Sequence, residues 1–126
     1  MLSEKSMEKL KGVHPLLVSV VGAAAAISPL EFIVTEGVRT LERQQYLFDA
    51  GKSQTMASRH LVQKLSGYGE ACDLCVIIDG KADWTFSNYK ILADAVKSAA
   101  KQMGVQIEWG GDWTTFKDGP HFQLKR

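Results

Sequence analysis

The order of helix-like and strand-like patterns along the chain is the feature that most restricts its fold. Helical patterns come first, over residues 3–10 and 16–27, and the second of these is an apolar, alanine-rich run. Ser3 or Ser6 can cap the first helix, and Pro15 separates the two because the residue before a proline avoids helical backbone. We therefore expect a pair of N-terminal helices, the second of them buried.

Strand patterns dominate the rest of the chain. β-Branched, aromatic and other apolar residues predict four strands, over residues 32–35, 70–78, 105–109 and 121–124. Asp79-Gly80, directly after the second of these strands, is a hairpin signal. A helix over residues 41–50, with Thr40 as its cap and Gly51 as its stop, follows the first strand.

The clearest helix in the sequence comes late, between Ser87 as its expected N-cap and Gly104 as its expected end. Its apolar side chains recur at helical spacing, at positions 91, 92, 95, 96, 99 and 103. Helices first, then strands around one late helix, are typical of an α+β domain. We expect the N-terminal helices and the late helix to pack on a small, mostly antiparallel sheet.

The composition fits one domain over residues 1–126. The chain has 126 residues, 45% hydrophobic and 23% charged, which supports a single core and leaves no room for a second. A monomer is the default expectation at this size. The net charge of +1 gives no electrostatic reason to expect nucleic-acid binding.

The apolar run over residues 16–27 does not predict membrane insertion. It is shorter than the roughly 20 residues that a bilayer-spanning helix needs. Its likeness to the core of a signal peptide is opposed by Glu4 and Glu8 in front of it and by Pro15 at its start.

Cys72 and Cys75 are the two cysteines of the chain, and they form a C-x-x-C pair. Such a pair can be a redox dithiol, half of a zinc ribbon or part of a core. There is no second pair to complete a four-thiolate site, and the two lie in an apolar strand pattern, where alternation points them to opposite faces. We expect free, buried thiols and no structural disulfide.

Three polar residues far apart in the sequence have the chemistry of one zinc site. His60 lies in a long polar loop over residues 51–69, Asp73 at the start of a strand, and His121 at the start of the last strand. Two imidazoles, a carboxylate and an open fourth position for water are typical of a zinc hydrolase. The other histidine, His14, is expected to be structural.

Two further residues can complete such a site. Asp118 lies three positions before His121, and its carboxylate could take a proton from water and pass it to a leaving amine. Arg39, in a turn after a strand, could stabilise an oxyanion or clamp a substrate carboxylate. Glu70 is a rival candidate for the base.

At this point the sequence resembles a known family. It is similar to the zinc peptidases that cleave peptidoglycan stems, the D-alanyl-D-alanine carboxypeptidases and, more strongly, the L-alanyl-D-glutamate endopeptidases of phage endolysins. The resemblance covers roughly residues 35 to 124. The matching stretches are residues 35–40 (TEGVRT), Gln44 and Gln45, residues 51–53 (GKS), 58–60 (SRH), 69–74 (GEACDL), 109–113 (WGGDW) and 118–122 (DGPHF).

The resemblance implies roles for some of the matching residues. The zinc ligands would be His60, Asp73 and His121. Asp118 would be the general base, and Arg39 would act near the scissile carbonyl. The residues implied to bind substrate or line the cleft are Ser58, Gln44 and Trp113.

The spacing of the first ligand departs from the family pattern. The position where the first histidine is usual, 66, is a serine, and His60 instead precedes Asp73 by thirteen positions. Because the Ser-Arg-His triplet is intact, we interpret residues 61–66 as a loop insertion. Ligands need convergence in space, so the zinc geometry can survive it.

The resemblance implies a hedgehog/DD-peptidase-like fold and a zinc-dependent peptidoglycan endopeptidase that hydrolyses the L-alanyl-D-glutamate bond for host cell lysis. A D,D- or L,D-carboxypeptidase and a non-catalytic, zinc-stabilised binding module, as in hedgehog-type domains, remain alternatives. An endolysin without a separate cell-wall-binding domain would be made in the host cytoplasm. It would reach its peptidoglycan substrate in the periplasm once a holin has permeabilised the membrane.

Overall fold

The computed structural model describes residues 2–125, which form four helices and a five-stranded antiparallel sheet. This confirms the predicted α+β class. In chain order the elements are α1 (Glu4–Lys9), α2 (Pro15–Ile27), β1 (Glu31–Glu36), α3 (Leu41–Asp49), β2 (Ala71–Ile78), β3 (Lys81–Asp83), α4 (Phe86–Met103), β4 (Ile107–Trp109), a short 3-10 turn (Gly110–Asp112) and β5 (His121–Leu124).

Strand β2 is the centre of the sheet. The strands are ordered β1-β2-β5-β4, and β3 pairs with β2 through the hairpin turn at Asp79-Gly80. Both turn residues have positive φ, 52° and 76°, as this tight hairpin geometry requires. In the pairing of β2 with β5, Asp73 lies opposite His121.

The two faces of the sheet have different roles. Alternate residues of β2, among them Cys72 and Leu74, join the main core together with Phe122 of β5 and buried side chains of α2 and α4. Asp73 on β2 and His121 on β5 each lie next to one of these core residues in the sequence. They belong to the opposite face, because successive side chains of a strand point to opposite sides. The face that contains Cys72 and Leu74 therefore packs into the main core, and the opposite face carries the polar side chains of Asp73 and His121.

The first helix is capped as predicted, and the second helix is capped by a residue for which no capping role was predicted. The Ser3 side chain accepts a hydrogen bond from the Ser6 backbone N–H at the start of α1. The buried Ser6 hydroxyl accepts one from the Val34 N–H at 3.0 Å, which joins α1 to the edge strand β1. His14 caps α2 through Nδ1, which accepts from the Leu16 N–H at 3.1 Å. The third histidine is thus structural.

The start of the late helix differs from the prediction. The N-cap of α4 is Thr85, and Ser87 lies inside the first turn. Thr85 itself makes no capping hydrogen bond with its side chain. The Asp83 carboxylate instead accepts from the Thr85 N–H and from the Asn88 amide, both at 2.9 Å. The Asp83 carboxylate therefore fixes the turn that precedes the helix, and it accepts from the N-cap residue and from the Asn88 side chain. Gly104 ends the helix with φ 70° as predicted.

The long segment between α3 and β2 contains no helix or strand among the described residues, but it is anchored by backbone hydrogen bonds. The Arg39 N–H donates to the His60 carbonyl, and the Glu70 N–H donates to the Arg59 carbonyl, both at 2.9 Å. The predicted insertion, residues 61–66, folds back on itself through a bridge from residue 62 to residue 69. It therefore leaves the backbone of His60 fixed beside the sheet.

Both cysteines are free and buried, as predicted. Burial raises the pKa of the Cys72 and Cys75 thiols, and the neighbouring Asp73 charge raises that of Cys72 further. Because the thiolate is the reactive form, neither side chain is placed for redox chemistry. Within residues 2–125, no helix has the length and apolar character needed to cross a bilayer.

We expect neither Cys72 nor Cys75 to react with a thiol reagent such as Ellman's reagent in the folded protein, because both are buried and protonated. Two thiols should react after unfolding in guanidinium chloride. The measurement is the absorbance of the released thiolate with and without denaturant. Stoichiometric reaction within minutes under native conditions would contradict the core assignment and restore the redox interpretation.

Candidate metal centre

The pairing of two strands brings together two of the three predicted ligands. Asp73 on β2 and His121 on β5 are directly opposite each other in an antiparallel pair, where facing side chains are close neighbours. His60 comes from the long loop before β2. Its ring lies 5.0 Å from that of His121 between centroids, in a tilted, edge-on arrangement.

The polar atoms of the three residues converge on one point. His60 Nε2 lies 3.2 Å from Asp73 Oδ1, and His121 Nδ1 lies 3.4 Å from the same oxygen. One potential ligand atom from each residue falls within 4.8 Å of the others. Both imidazoles are buried, and Asp73 is partly buried.

The remaining nitrogen of each imidazole has its own hydrogen-bond acceptor. His60 Nδ1 donates to the Gly37 carbonyl at 2.8 Å, and His121 Nε2 donates to the Gln123 side-chain oxygen at 2.8 Å. In a neutral imidazole, a proton on one nitrogen leaves a lone pair on the other. Both lone pairs therefore face Asp73 Oδ1, and such outer partners are the usual way in which metal-binding histidines are oriented.

This donor set fits a metal ion. Asp73 Oδ1 is buried and makes no hydrogen bond with any residue that the structure describes, although two imidazole nitrogens lie within 3.4 Å of it. Three electron-pair donors that face one another repel unless a cation lies between them. Imidazole and carboxylate are both ligands that zinc accepts. The cluster of His60, Asp73 and His121 could thus hold a divalent metal ion.

The pKa shifts in the cluster agree with a site for positive charge. Burial raises the pKa of Asp73, but contacts with His121 and His60 outweigh it and lower that pKa well below its usual range. Burial lowers the pKa of His121, but Asp73, Gln123 and Asp118 outweigh it and raise that pKa above the ordinary value. A proton and a metal cation compete for this position, so metal binding should weaken in acid.

A second layer of hydrogen bonds supports His121. The Gln123 side-chain amide, whose oxygen accepts from His121, donates through its nitrogen to Glu108 on the next strand at 3.1 Å. Glu108 and Gln123 are register partners in the pairing of β4 with β5. This fixes which end of the amide faces the imidazole and therefore which nitrogen of His121 carries the proton.

Arg39 lines the cleft beside the cluster, but its charge is already compensated. Its guanidinium contacts both carboxylate oxygens of Glu36, at 2.7 and 3.0 Å, and lies 3.9 Å from the second oxygen of Asp73. Its side chain is only 9% exposed. The guanidinium is therefore held rigidly, and its side next to Asp73 faces the cleft.

The predicted role of Gln44 in substrate binding needs correction. The side chain is completely buried and does not line the cleft. Its oxygen accepts from Arg39 at 2.7 Å, and its nitrogen donates to Ser53 at 2.8 Å and to the Thr55 carbonyl. Hydrogen bonds to three partners satisfy its amide in this buried position. Gln44 positions Arg39 and the following loop.

Asp118 lines the cleft close to the cluster. The Asp118 N–H donates to the Gly110 carbonyl at 3.0 Å, and the Asp118 carbonyl accepts from the His121 N–H at 3.2 Å. A Cβ atom at Gly110 would collide with the Asp118 carbonyl, so only glycine permits this packing. Desolvation and the charge of Asp73 raise the pKa of Asp118 above its usual range.

The other predicted site residues divide between the cleft and its support. Ser58 lines the cleft, and its hydroxyl accepts from the His60 N–H at 3.1 Å. The Trp113 ring lies 5.1 Å from that of His121 and also lines the cleft. Glu70, the rival base, is buried in an ion pair with Arg59 and does not face the cleft.

The cluster lies in an open cleft of about 870 Å³. Residues of α3 and of the loop that follows it form part of the lining, and residues 113–118 form another part. Phe116 in this second segment is 69% exposed and has a left-handed backbone, with φ 51°. An exposed aromatic side chain at the cleft lining is a candidate substrate contact that the sequence did not single out.

Sequence reasoning also missed Gln123 and Glu36. Gln123 follows His121 by two positions on a strand, and side chains at that spacing share a face, so the signal was present. Glu36 lies three positions before Arg39, across the turn at Gly37, and nothing local indicates that its carboxylate returns to the guanidinium.

Comparisons with known proteins agree with this geometry. A family model described as phage L-alanyl-D-glutamate peptidase matches residues 1–124. The chain is 37% identical to the L-alanyl-D-glutamate peptidase of Listeria phage A118 over 96 residues, and 28% identical to that of Escherichia phage T5 over 127 residues. The crystal structure of the L-Ala D-Glu endopeptidase ChiX from Serratia marcescens superposes with a TM-score of 0.89, at 44% identity.

The extent of these matches differs. The alignment with the Listeria phage protein covers 75% of this chain but only 31% of that protein. The phage T5 enzyme is matched over 98% of this chain and 88% of its own length. ChiX is matched over 98% of this chain and 89% of the ChiX chain. Two of the three relatives come from phages and one from a bacterium.

Replacing Gln123 by leucine should weaken divalent-metal binding about 10- to 100-fold, because His121 loses the acceptor that orients its ring. The measurement is a Zn²⁺ titration in competition with a chromophoric chelator. Gln102→Leu, at an exposed position of α4, is the matched control and should keep the affinity of the unmodified protein. Equal affinities for the two variants would show that the Gln123 contact does not support the site.

Proposed function

Because the chain belongs to the phage L-alanyl-D-glutamate peptidase family, we propose that it is a zinc-dependent endopeptidase of peptidoglycan. It hydrolyses the amide bond between L-alanine and D-glutamate in the stem peptide. One observation carries the proposal beyond family membership: the side chains of His60, Asp73 and His121 direct three electron-pair donors at one point in an open cleft.

The three residues of this cluster would hold the zinc ion. When bound, zinc supplies Lewis acidity, which polarises a carbonyl and makes water more acidic. The Gly37 carbonyl and the Gln123 side chain hold the two imidazoles in the tautomers that leave His60 Nε2 and His121 Nδ1 as donors. The protein thus provides an oriented donor set, and no rearrangement of these contacts is needed.

Asp118 would act as the general base. Its carboxylate takes a proton from the attacking water and later gives that proton to the amine of D-glutamate as the amide bond breaks. The place of Asp118 in the cleft lining beside the cluster suits both steps. Gly110 and His121 hold the backbone of Asp118 beside the cluster.

Arg39 would stabilise negative charge that develops on the carbonyl oxygen of the scissile bond. Hydrogen bonds to Glu36 and Gln44 hold the guanidinium in place at the lining of the cleft. Donors held in advance at the place where charge develops lower the barrier without a reorganisation cost. Ser58 and Trp113 would contact the stem peptide at the lining of the cleft.

The biological setting follows from the two phage relatives. We propose an endolysin made in the host cytoplasm that reaches peptidoglycan in the periplasm after a holin has opened the inner membrane. The protein would work as a monomer.

The experiment is digestion of purified peptidoglycan by metal-depleted and zinc-restored protein, with mass spectrometry of the new termini. Release of peptides with a free D-glutamate amino group, only in the presence of zinc, is the expected result. Loss of a terminal D-alanine alone would replace the proposal with a carboxypeptidase. No cleavage by protein with one bound zinc would favour the non-catalytic binding module.

Substituting Asp118 by asparagine should lower kcat by at least about 100-fold, because the amide cannot accept the proton. Zinc content and melting temperature should stay unchanged. Asp112→Asn is the matched control from the same stretch of chain, since Asp112 is exposed and forms a surface ion pair with Lys97. If the Asp118 variant turned over substrate at the unmodified rate, the base would have to be another group.

A further inference from the structure

Three basic side chains line the cleft without a carboxylate partner. Arg43 belongs to α3, Lys52 to the loop directly after it, and Lys117 to the separate segment 113–118. No carboxylate of residues 2–125 lies within ion-pair distance of them. We refer to Arg43, Lys52 and Lys117 as the cationic rim.

The contacts of the cationic rim leave its charge uncompensated. The Arg43 guanidinium lies 5.5 Å from the centre of the neutral Tyr46 ring. The Lys117 ammonium donates to the Gly111 carbonyl at 3.1 Å. A ring face and a peptide carbonyl offer partial negative charge only, so each cation keeps the capacity to bind an anion.

The other charged groups of the cleft belong to ion pairs or lie at the metal cluster. Arg39 is paired with Glu36, and Arg59 is paired with Glu70. Of the remaining lining carboxylates, Asp73 belongs to the metal cluster and Asp118 lies beside it. A substrate that enters the cleft therefore meets carboxylates at the cluster and uncompensated positive charge elsewhere along the lining.

If the proposed function holds, the substrate can carry an anion close to its reacting bond. In an L-alanyl-D-glutamate unit, the amino group of D-glutamate forms the scissile amide, and the chain can continue through only one of its two carboxyl groups. The other carboxyl group is either a free carboxylate or an amide, and it lies within a few bonds of the leaving nitrogen.

We propose that the cationic rim is the specificity determinant that selects stem peptides whose D-glutamate carries the free carboxylate over those that carry the amide. Arginine and lysine bind carboxylates through charge-assisted hydrogen bonds, and an amide offers no net charge to them. The preference should therefore be electrostatic, and it should fall as salt screens the interaction.

The test uses two soluble stem peptides that differ only in this group, a carboxylate in one and a carboxamide in the other. With zinc-loaded protein, kcat/KM for the carboxylate peptide should be about tenfold higher or more. Arg43→Gln, Lys52→Gln and Lys117→Gln should each lower it by about 3- to 10-fold, mainly through KM. The same variants should leave kcat/KM for the carboxamide peptide nearly unchanged.

Lys101→Gln, at an exposed position near the end of α4 and outside the cleft lining, is the matched control and should change neither value. Circular dichroism and zinc content establish that each variant is folded and loaded. An increase in sodium chloride from 50 to 500 mM, which shortens the screening length from about 14 Å to about 4 Å, should reduce the preference of the unmodified protein.

The outcomes separate this proposal from the proposed function. Equal rates for the two peptides, or equal losses on both in the rim variants, would overturn the role of the rim while the endopeptidase activity stands. If zinc-loaded protein cleaved neither peptide nor intact peptidoglycan, both proposals would fall together. A preference for the carboxylate that survives in all three rim variants would place the selection elsewhere in the cleft.

Discussion

The pairing of β2 with β5 is the constraint on which the rest of the site depends. It sets Asp73 opposite His121 and, two residues further along β5, places Gln123 on the same face. A slip of one residue would turn Asp73 into the core and expose Leu74, so burial of the apolar face fixes the register. The packing of α2 and α4 on the other face therefore helps to determine the position of two candidate ligands.

The loop that carries His60 adds the third donor, and its conformation is held by the turn after β1. The Gly37 carbonyl accepts from the His60 ring, and the Arg39 N–H donates to the His60 carbonyl. A cluster of polar groups that is buried without full pairing costs free energy, and functional sites are where folds retain such costs. The unpaired oxygen of Asp73 has a physical explanation if a cation binds between the three side chains.

Much of this architecture could be predicted from the sequence, because its signals are local. Proline, capping serine and threonine and helical apolar spacing gave α1, α2 and α3 to within two residues, and alternation placed Cys72 in a buried strand. The convergence of the three candidate ligands followed from their chemistry and from the family resemblance. The buried position of Gln44, the Glu36 carboxylate on Arg39 and the link from Gln123 to Glu108 depend on tertiary contacts that have no local signature. The predicted N-cap of α4 was wrong for a similar reason, since the Asp83 carboxylate from the preceding strand fixes Thr85 and Asn88 and the helix begins one residue before Ser87.

The central claim is that two imidazoles and one carboxylate bind one zinc ion. X-ray absorption spectroscopy at the zinc edge of stoichiometrically loaded protein tests it directly. We predict two imidazole nitrogens and only oxygen or nitrogen ligands besides, with no sulfur, and loss of one imidazole contribution in His60→Ala. A zinc–sulfur signal, or a spectrum that is the same with and without His60, would contradict the account.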